Sequence, residues 1–177
     1  MKQWYVVYVK SRAEKKVLQN LASKNIEAWL PVQNKLRQWS DRKKLVEMPF
    51  FPGYIFVRVN RKDYDPVLAT EHVVGYITIE GKAVPVRDED ISSLKQILQQ
   101  DLIKVELTRD DLTPGEQVEI ISGPLVGVRG ELVQLKGKHK VSIRIHQIHY
   151  TVMIEVPVTE LAMIRTPRRQ SETISVR

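Results

Sequence analysis

The chain has 177 residues, 42% of them apolar, with 28 Lys and Arg against 21 Asp and Glu and no cysteine. That apolar share supplies one large core or two small ones, while the lack of cysteine excludes a disulfide framework and a thiolate metal centre. No run of about 18 apolar residues offers a membrane span and no apolar leader precedes the first strand pattern, so a cytoplasmic protein with no membrane partner is expected.

In chain order, the first element is "WYVVYVK", Trp4–Lys10, β-branched and aromatic as a strand requires. The period then changes. Ser11-Arg12-Ala13-Glu14 reads as a capping box, in which the Ser11 hydroxyl and the Glu14 carboxylate each accept a backbone N–H, and it predicts a helix start. Ala13, Val17, Leu21 and Ala22 form the expected core face of that helix, Arg12, Lys15, Lys16, Gln19 and Ser23 its basic side, and Asn25 its stop. Next, Ile26, Ala28, Leu30 and Val32 alternate with Glu27, Trp29, Pro31 and Gln33, a strand whose proline end belongs at a sheet edge. "NKLRQWSDRKK", Asn34–Lys44, reads as a polar connector with Lys35, Arg37, Arg42, Lys43 and Lys44 around Trp39.

Strands are predicted at Leu45–Met48 and Tyr54–Val59, a short helix over Tyr64–Thr70, and a hairpin of Val73–Ile79 and Ala83–Val86 turning at Glu80-Gly81-Lys82. Asp88 as N-cap, an acidic first turn, and Ile91, Leu94, Ile97 and Leu98 on one face predict a second helix. Gln99 to Thr113 loses periodicity. Beyond it come short strands punctuated by glycine: Gln117–Ile121, Gly127–Leu135, Lys140–His146 and Tyr150–Val156. Val141, Ile143 and Ile145 alternate with Ser142, Arg144 and His146, the pattern of a strand with one wet face. Such strands bury their inner faces by curling into a small barrel. The fold class is therefore α+β. Residues 1–100 form an antiparallel sheet flanked by helices, 101–113 a linker, 114–165 a small C-terminal β-barrel, and 166–177 a basic tail expected to be mobile.

Charge is unevenly spread. Residues 1–62 hold 14 cations and 4 anions, 63–112 hold 5 and 11, and 113–177 hold 9 and 6. A basic first third attracts polyanions over about a Debye length, which puts nucleic acid first among partners, a solvated basic face being the plain alternative.

The stretch "MPFFPGYIFVRV", Met48–Val59, is the most unusual. Pro49 and Pro52 bracket Phe50-Phe51, and Gly53 permits a turn before Tyr54, Phe56, Val57 and Val59 enter a sheet. Aromatics at a strand entry have two outlets. They face outward as a docking surface, or they pack under the second helix.

Here the chain resembles the NusG family of transcription elongation factors. "QWYVVYVKSRAEKKV" is similar to that family's opening strand and helix, "FFPGYIFV" to its internal signature, and "PGEQVEIISGPLVGVRGELVQL" to its C-terminal KOW module. The likeness runs from Trp4 to about Ile164 in the family's order, and "LRQWSDRKK" looks closest to the specialised RfaH and UpxY-like antiterminators of polysaccharide operons. The resemblance implies a non-enzymatic, cofactor-free monomer. Its NGN-like first domain would sit on the clamp helices of the largest subunit of bacterial RNA polymerase and suppress pausing or termination. By aligned position the docking residues would be Tyr8, Tyr54, Phe56, Ile79 and Ile91, with Phe51 at the rim. Lys10, Arg12, Lys16 and Lys24 correspond to the surface that meets non-template DNA in specialised members, nascent RNA being the other nucleic-acid partner.

Trp39, between Arg37 and Arg42 and beside Lys43, is placed to stack on an unpaired base or to fold onto the sheet edge. The His-Thr-Thr run with which RfaH reaches the opposite polymerase lobe is absent. Gly123, Pro124, Gly127 and Gly130 supply the turns of the KOW barrel, which in relatives binds Rho or a small-subunit ribosomal protein. RfaH stores this region as a helical hairpin; here each glycine costs about 1 kcal/mol in a helix, so a barrel is expected throughout.

Two other classes compete. A KOW-containing ribosome-associated RNA-binding protein explains the basic third and the barrel but leaves "FFPGYIF" without a task. An enzyme would need a site. His139, His146 and His149 do not share a strand face, Asp88-Glu89-Asp90 suits a helix start, and no phosphate loop or nucleophile arrangement appears.

Overall fold

Alternation along the first strand sets the layering of the N-terminal half. The computed structural model describes residues 1–38, 43–100, 103–109, 115–135 and 138–164. Strand β1 (Gln3–Val9) pairs antiparallel with β5 (Tyr54–Val59) in the register Val6↔Phe56, Val7↔Ile55 and Tyr8↔Tyr54. Residues opposite one another share a face, so Val6, Tyr8, Tyr54 and Phe56 line one side and Val7 and Ile55 the other. β2 (Glu27–Trp29) and β6 (Val73–Tyr76) complete the sheet in the order β2-β5-β1-β6. Helices α1 (Glu14–Ser23) and α2 (Tyr64–Leu68) cover the Val7 face through Val17, Leu21 and Val67. Helix α3 (Asp88–Leu98) packs Ile91, Leu94 and Ile97 into the cluster of Trp4, Val6 and Phe56. Each such buried side chain stabilises the fold by roughly 1.5–3 kcal/mol relative to exposure.

Several expectations are corrected. Helix α1 begins at Glu14 with Ala13 as N-cap and no side-chain cap; Arg12 before it adopts φ 64°, the Glu14 carboxylate accepts the Gly53 N–H instead, and the capping box does not form. Ala22 is exposed. Arg87, not Asp88, is the N-cap of α3, and it holds Asp90 through Nε and Nη2 at 3.0 and 2.8 Å. The strand read across Ile26–Gln33 breaks at Leu30-Pro31. The polar stretch after that break is a hairpin rather than a connector: β3 (Val32–Gln38) pairs along its whole length with β4 (Lys43–Pro49). The polar composition hid it, since a two-stranded ribbon standing off the core needs no apolar face. Of the hairpin expected from Val73–Ile79 and Ala83–Val86 only the turn survives: β7 (Thr78–Ile79) and β8 (Lys82–Ala83) form a two-residue pair around Glu80 and Gly81, both at positive φ, because Val73–Tyr76 is taken up by β1 as the sheet edge strand β6.

The C-terminal half is a curled antiparallel sheet, order β14-β10-β11-β12-β13-β9. Its strands are β9 (Val105–Thr108), β10 (Glu116–Ile120), β11 (Arg129–Leu135), β12 (Lys138–Ile145), β13 (Tyr150–Glu155) and β14 (Leu161–Met163). β9 lies inside the stretch expected to be linker; it is too short and too mixed in charge to show a period, and its strand form depends on the β13 edge that receives it. Val141, Ile143 and Ile145 are buried as predicted, while on the alternate face Ser142 is buried too and Arg144 is half-buried. Ser142 is 1% exposed and donates to the Glu131 carbonyl at 3.2 Å, and Arg144 Nε lies 3.3 Å from Glu131 Oε2. The tail at 166–177 lies outside the described residues.

Candidate functional site

The turn before β5 is held from three directions. Phe50 N–H donates to the Pro31 carbonyl at 2.7 Å, Tyr54 N–H to Phe51 at 3.1 Å, and Val9 N–H to Gly53 at 2.9 Å. Gly53 sits at φ 83°, and a Cβ there would stand 2.9 Å from Tyr8 Cε2, so glycine is required both for the turn and for the ring beside it. Its N–H donates to Glu14 Oε1 at 2.9 Å in a buried contact. The carboxylate read as half of a capping box thus ties α1 to this turn.

The turn sorts its aromatics into two groups. Tyr8 is 44% exposed and its ring centroid lies 5.5 Å from that of half-buried Tyr54, forming an open rim. Phe51 and Phe56 are both 0% exposed, 6.0 Å apart, with Phe50 at 4.8 Å from Phe51 and Trp29 at 5.5 Å from Phe56. Ile91 is buried at 2% in the same cluster, and Ile79 stands half exposed on β7. Of the six proposed docking residues, then, Phe51, Phe56 and Ile91 are core in this structure. Beside them, between β2 and α3, Trp29, Leu30, Val32, Lys95, Leu98 and Gln99 line a hollow of about 370 Å³. Lys95 Nζ lies 5.0 Å from the Trp4 ring centroid and 5.3 Å from that of Trp29.

The cover over Phe51 comes from the other half of the chain. Tyr150, at the start of β13, places its ring centroid 5.4 Å from Phe51 and 6.3 Å from Tyr54. One apolar cluster runs from Trp4, Phe51 and Phe56 to Val118, Ile148 and Val156. Gln147 Nε2 donates to the Pro85 carbonyl at 2.9 Å, and Gln96 Nε2 to those of Pro124 and Val126 at 3.1 and 3.2 Å. The contact is not sealed. A cleft of about 970 Å³ separates the polar side of α3 from β10, β11 and β12, with Ser92, Ser93 and Gln96 facing Gln117, Arg129 and Glu131. Sequence reasoning missed Tyr150, because nothing in its neighbourhood marks a ring that will meet Phe51.

The basic candidates divide likewise. Lys10 and Arg12 are exposed. Lys16 Nζ is engaged, 3.1 Å from Glu71 Oε2 and 3.2 Å from His72 Nε2; the Lys16 hydrogen bond, with the charge of His72, holds the Glu71 carboxyl below its ordinary pKa. Lys24 Nζ donates to Thr70 Oγ1 at 2.8 Å and to the Pro66 carbonyl at 3.1 Å, a structural use. On the hairpin, the register Lys35↔Val46 and Arg37↔Lys44 puts these positions on one face, and Leu36↔Leu45 and Asn34↔Glu47 on the other. Glu47 meets Lys15 of α1 at 2.8 Å, so the Lys35 and Lys44 face points away from that helix. Lys43, near the tip, is exposed; Trp39 and Arg42 lie outside the described residues, and of Arg37 only the backbone is described.

In the C-terminal sheet Gly123 and Gly127 take φ 79° and 87° around Pro124, and a Cβ on Gly130 would stand 2.5 Å from the Ser142 carbonyl oxygen, so strand packing requires that glycine. Among the described residues no group of His, Asp and Glu could hold a metal ion, and no helix is long and apolar enough to cross a membrane.

Residues 2–95 match the family described as NusG, transcription termination factor nusG. The transcription termination/antitermination protein NusG of Halalkalibacterium halodurans is 26% identical over 179 residues, spanning 92% of this chain and 99% of that protein. The protein of the same name from Haemophilus influenzae is 26% identical over 157 residues, spanning 80% and 84%. A solved structure titled "Domain interaction in Thermotoga maritima NusG" is 24% identical, with a TM-score of 0.48 over 93% of this chain and 98% of that one. With the family match taking in more than half of its length, the chain belongs to the NusG family of transcription termination and antitermination factors.

Proposed function

We propose that this protein is an elongation and antitermination factor that docks on the clamp helices of the largest subunit of bacterial RNA polymerase and suppresses pausing or termination by favouring the closed clamp. The observation that carries the reading is the aromatic face around Gly53. Tyr8 and Tyr54 form an open rim, and the Phe51 edge beneath it is already fitted to an apolar partner, the Tyr150 ring. Clamp helices would engage the rim and compete with the C-terminal domain for the rest. A ligand that prefers the closed clamp by about 1.4 kcal/mol changes the closed-to-open ratio tenfold, and no bond chemistry takes part.

Lys10 and Arg12, with Lys35, Lys43 and Lys44 on the hairpin, are exposed and supply the phosphate contacts to non-template DNA or nascent RNA. Lys16 and Lys24 hold the scaffold. The C-terminal domain, once released, is the part that meets Rho or a ribosomal protein, and the "LRQWSDRKK" hairpin suits a specialised member acting on particular operons. A role in the ribosome would leave the aromatic face unused.

In vitro transcription through a pause site tests the proposal. Wild type should shorten the pause and Tyr54→Ala should restore it; an unchanged pause lifetime with wild type removes the proposal. Phe56→Ala is unsuited to this test, since that ring is core.

A further inference from the structure

Seventeen residues, 99–115, separate the end of α3 from β10, yet only six of them, 99–104, precede β9. β9 pairs with β13 through Thr108↔Thr151, Leu107↔Val152, Glu106↔Met153 and Val105↔Ile154. Glu106 Oε2 is 2.5 Å from Lys140 Nζ on β12, and Val105 and Leu107 pack against the cluster that joins the two halves. The next residue, Arg109, places its guanidinium 4.5 Å from the Tyr150 ring centroid and donates from Nη2 to the Tyr150 hydroxyl at 2.6 Å. Tyr150 is the ring that covers Phe51 and meets Tyr54 edge-on. An unbroken chain of contacts therefore runs from the connecting segment, through one tyrosine, to the candidate docking face.

We infer that β9 with Arg109 is a releasable clip: bound to β13 it shortens the tether and fixes Tyr150 on the aromatic face, and peeled away it frees that face. β9 is the element suited to release. It has four residues, none of them fully buried, and it lies at an edge of the sheet with a partner on one side only. Short, half-exposed edge elements open at a lower free energy than the core strands they border. Peeling lengthens the tether from six residues to seventeen. The effective concentration of a tethered partner falls roughly as the −3/2 power of tether length, so the C-terminal domain's local concentration at the face drops about fivefold, besides the lost grip on Tyr150. The inference rests on the proposed docking role only for the use made of the uncovered face.

The test is a distance measurement on the full chain. Because the sequence has no cysteine, Ser23→Cys and Gln134→Cys, both exposed, accept one spin label each. Pulsed dipolar spectroscopy on this labelled chain should give one narrow distance population. Adding Arg109→Ala or Glu106→Lys should produce a second, longer population. Six Gly and Ser residues inserted after Gln100, which leave β9 untouched, should lower the docked-to-undocked ratio about threefold. Distributions unchanged in all three variants would overturn the inference. So would loss of the C-terminal sheet itself, read by far-UV circular dichroism, since β9 would then be an integral strand and not a clip. No polymerase is present, so this result stands or falls apart from the pause assay.

Discussion

Replacing Glu14 separates the structure from the local sequence pattern in a single experiment. A capping box would make Ser11 and Glu14 equal partners, each worth about 1 kcal/mol. In the structure Ser11 caps nothing, while the buried Glu14 carboxylate accepts the Gly53 N–H at 2.9 Å from 39 residues away. Hydrogen bonds to charged groups contribute about 1.5–3 kcal/mol, and the alanine variant would also strand a buried N–H. Glu14→Ala is therefore expected to cost about 2–3 kcal/mol. Glu14→Gln, which keeps an acceptor oxygen but no charge, should cost about 1 kcal/mol, and Ser11→Ala less than about 0.5 kcal/mol. Urea denaturation followed by tryptophan fluorescence measures all three, Trp4 and Trp29 lying in or against the sheet that unfolds. A Ser11→Ala loss equal to that of Glu14→Ala would refute the reasoning and restore the cap.

The same geometry yields other expected outcomes. Phe56→Ala, at a fully buried ring, should destabilise by about 3–5 kcal/mol in the same denaturation assay, whereas Tyr8→Ala on the open rim should cost far less. The Tyr76 hydroxyl is buried and finds no hydrogen-bond partner among the described residues, so Tyr76→Phe should be neutral or stabilise by up to about 1 kcal/mol; a clear loss would reveal a partner. Gly130→Ala would press a Cβ against the Ser142 carbonyl and should disrupt the C-terminal sheet, while Gly127→Ala, with open space but φ 87°, should cost only about 1–2 kcal/mol, both read from thermal melts. Lys140, hydrogen bonded to Glu106, holds that carboxyl below the usual carboxylate range, with Lys104 adding to the effect. A depressed folded-state pKa gives stability present in full above the unfolded value and lost as pH falls through the folded one. Acid titrations of wild type and Glu106→Gln should therefore differ near neutrality and converge in acid; a constant offset would show that the Glu106 charge plays no part.

Residue by residue, the sequence was legible where a short period decides the answer. The strand at Trp4–Lys10, both long helices and the Glu80-Gly81 turn were all predicted within a residue or a few of where they lie. Of the hairpin β3–β4 the strand at Leu45–Met48 was predicted, but its partner over residues 34–38 was not, because those polar residues carry no alternation. β9 escaped for a related reason, its strand form being conferred by the edge of β13. At the candidate site the glycine turn was visible in "FFPGYIF", while Tyr8 and Tyr54 as docking residues came in only through the family resemblance. Whether Phe51 and Phe56 faced outward or inward was a choice between two readings, and packing decided it.

By itself the sequence determined the order of elements apart from the β3–β4 hairpin and β9, the α+β class with a strand-built second half, and the concentration of positive charge in the first third. Those properties live in composition and in repeats of two to four residues, which any neighbouring stretch of chain displays. Only the tertiary structure decided that Glu14 holds Gly53, that Arg109 holds Tyr150, and that Tyr150 lies on Phe51. Each of those contacts joins residues far apart along the chain, and their energy comes from desolvation and geometry that exist only once each half has folded and, for Tyr150 on Phe51, once the two halves have packed together.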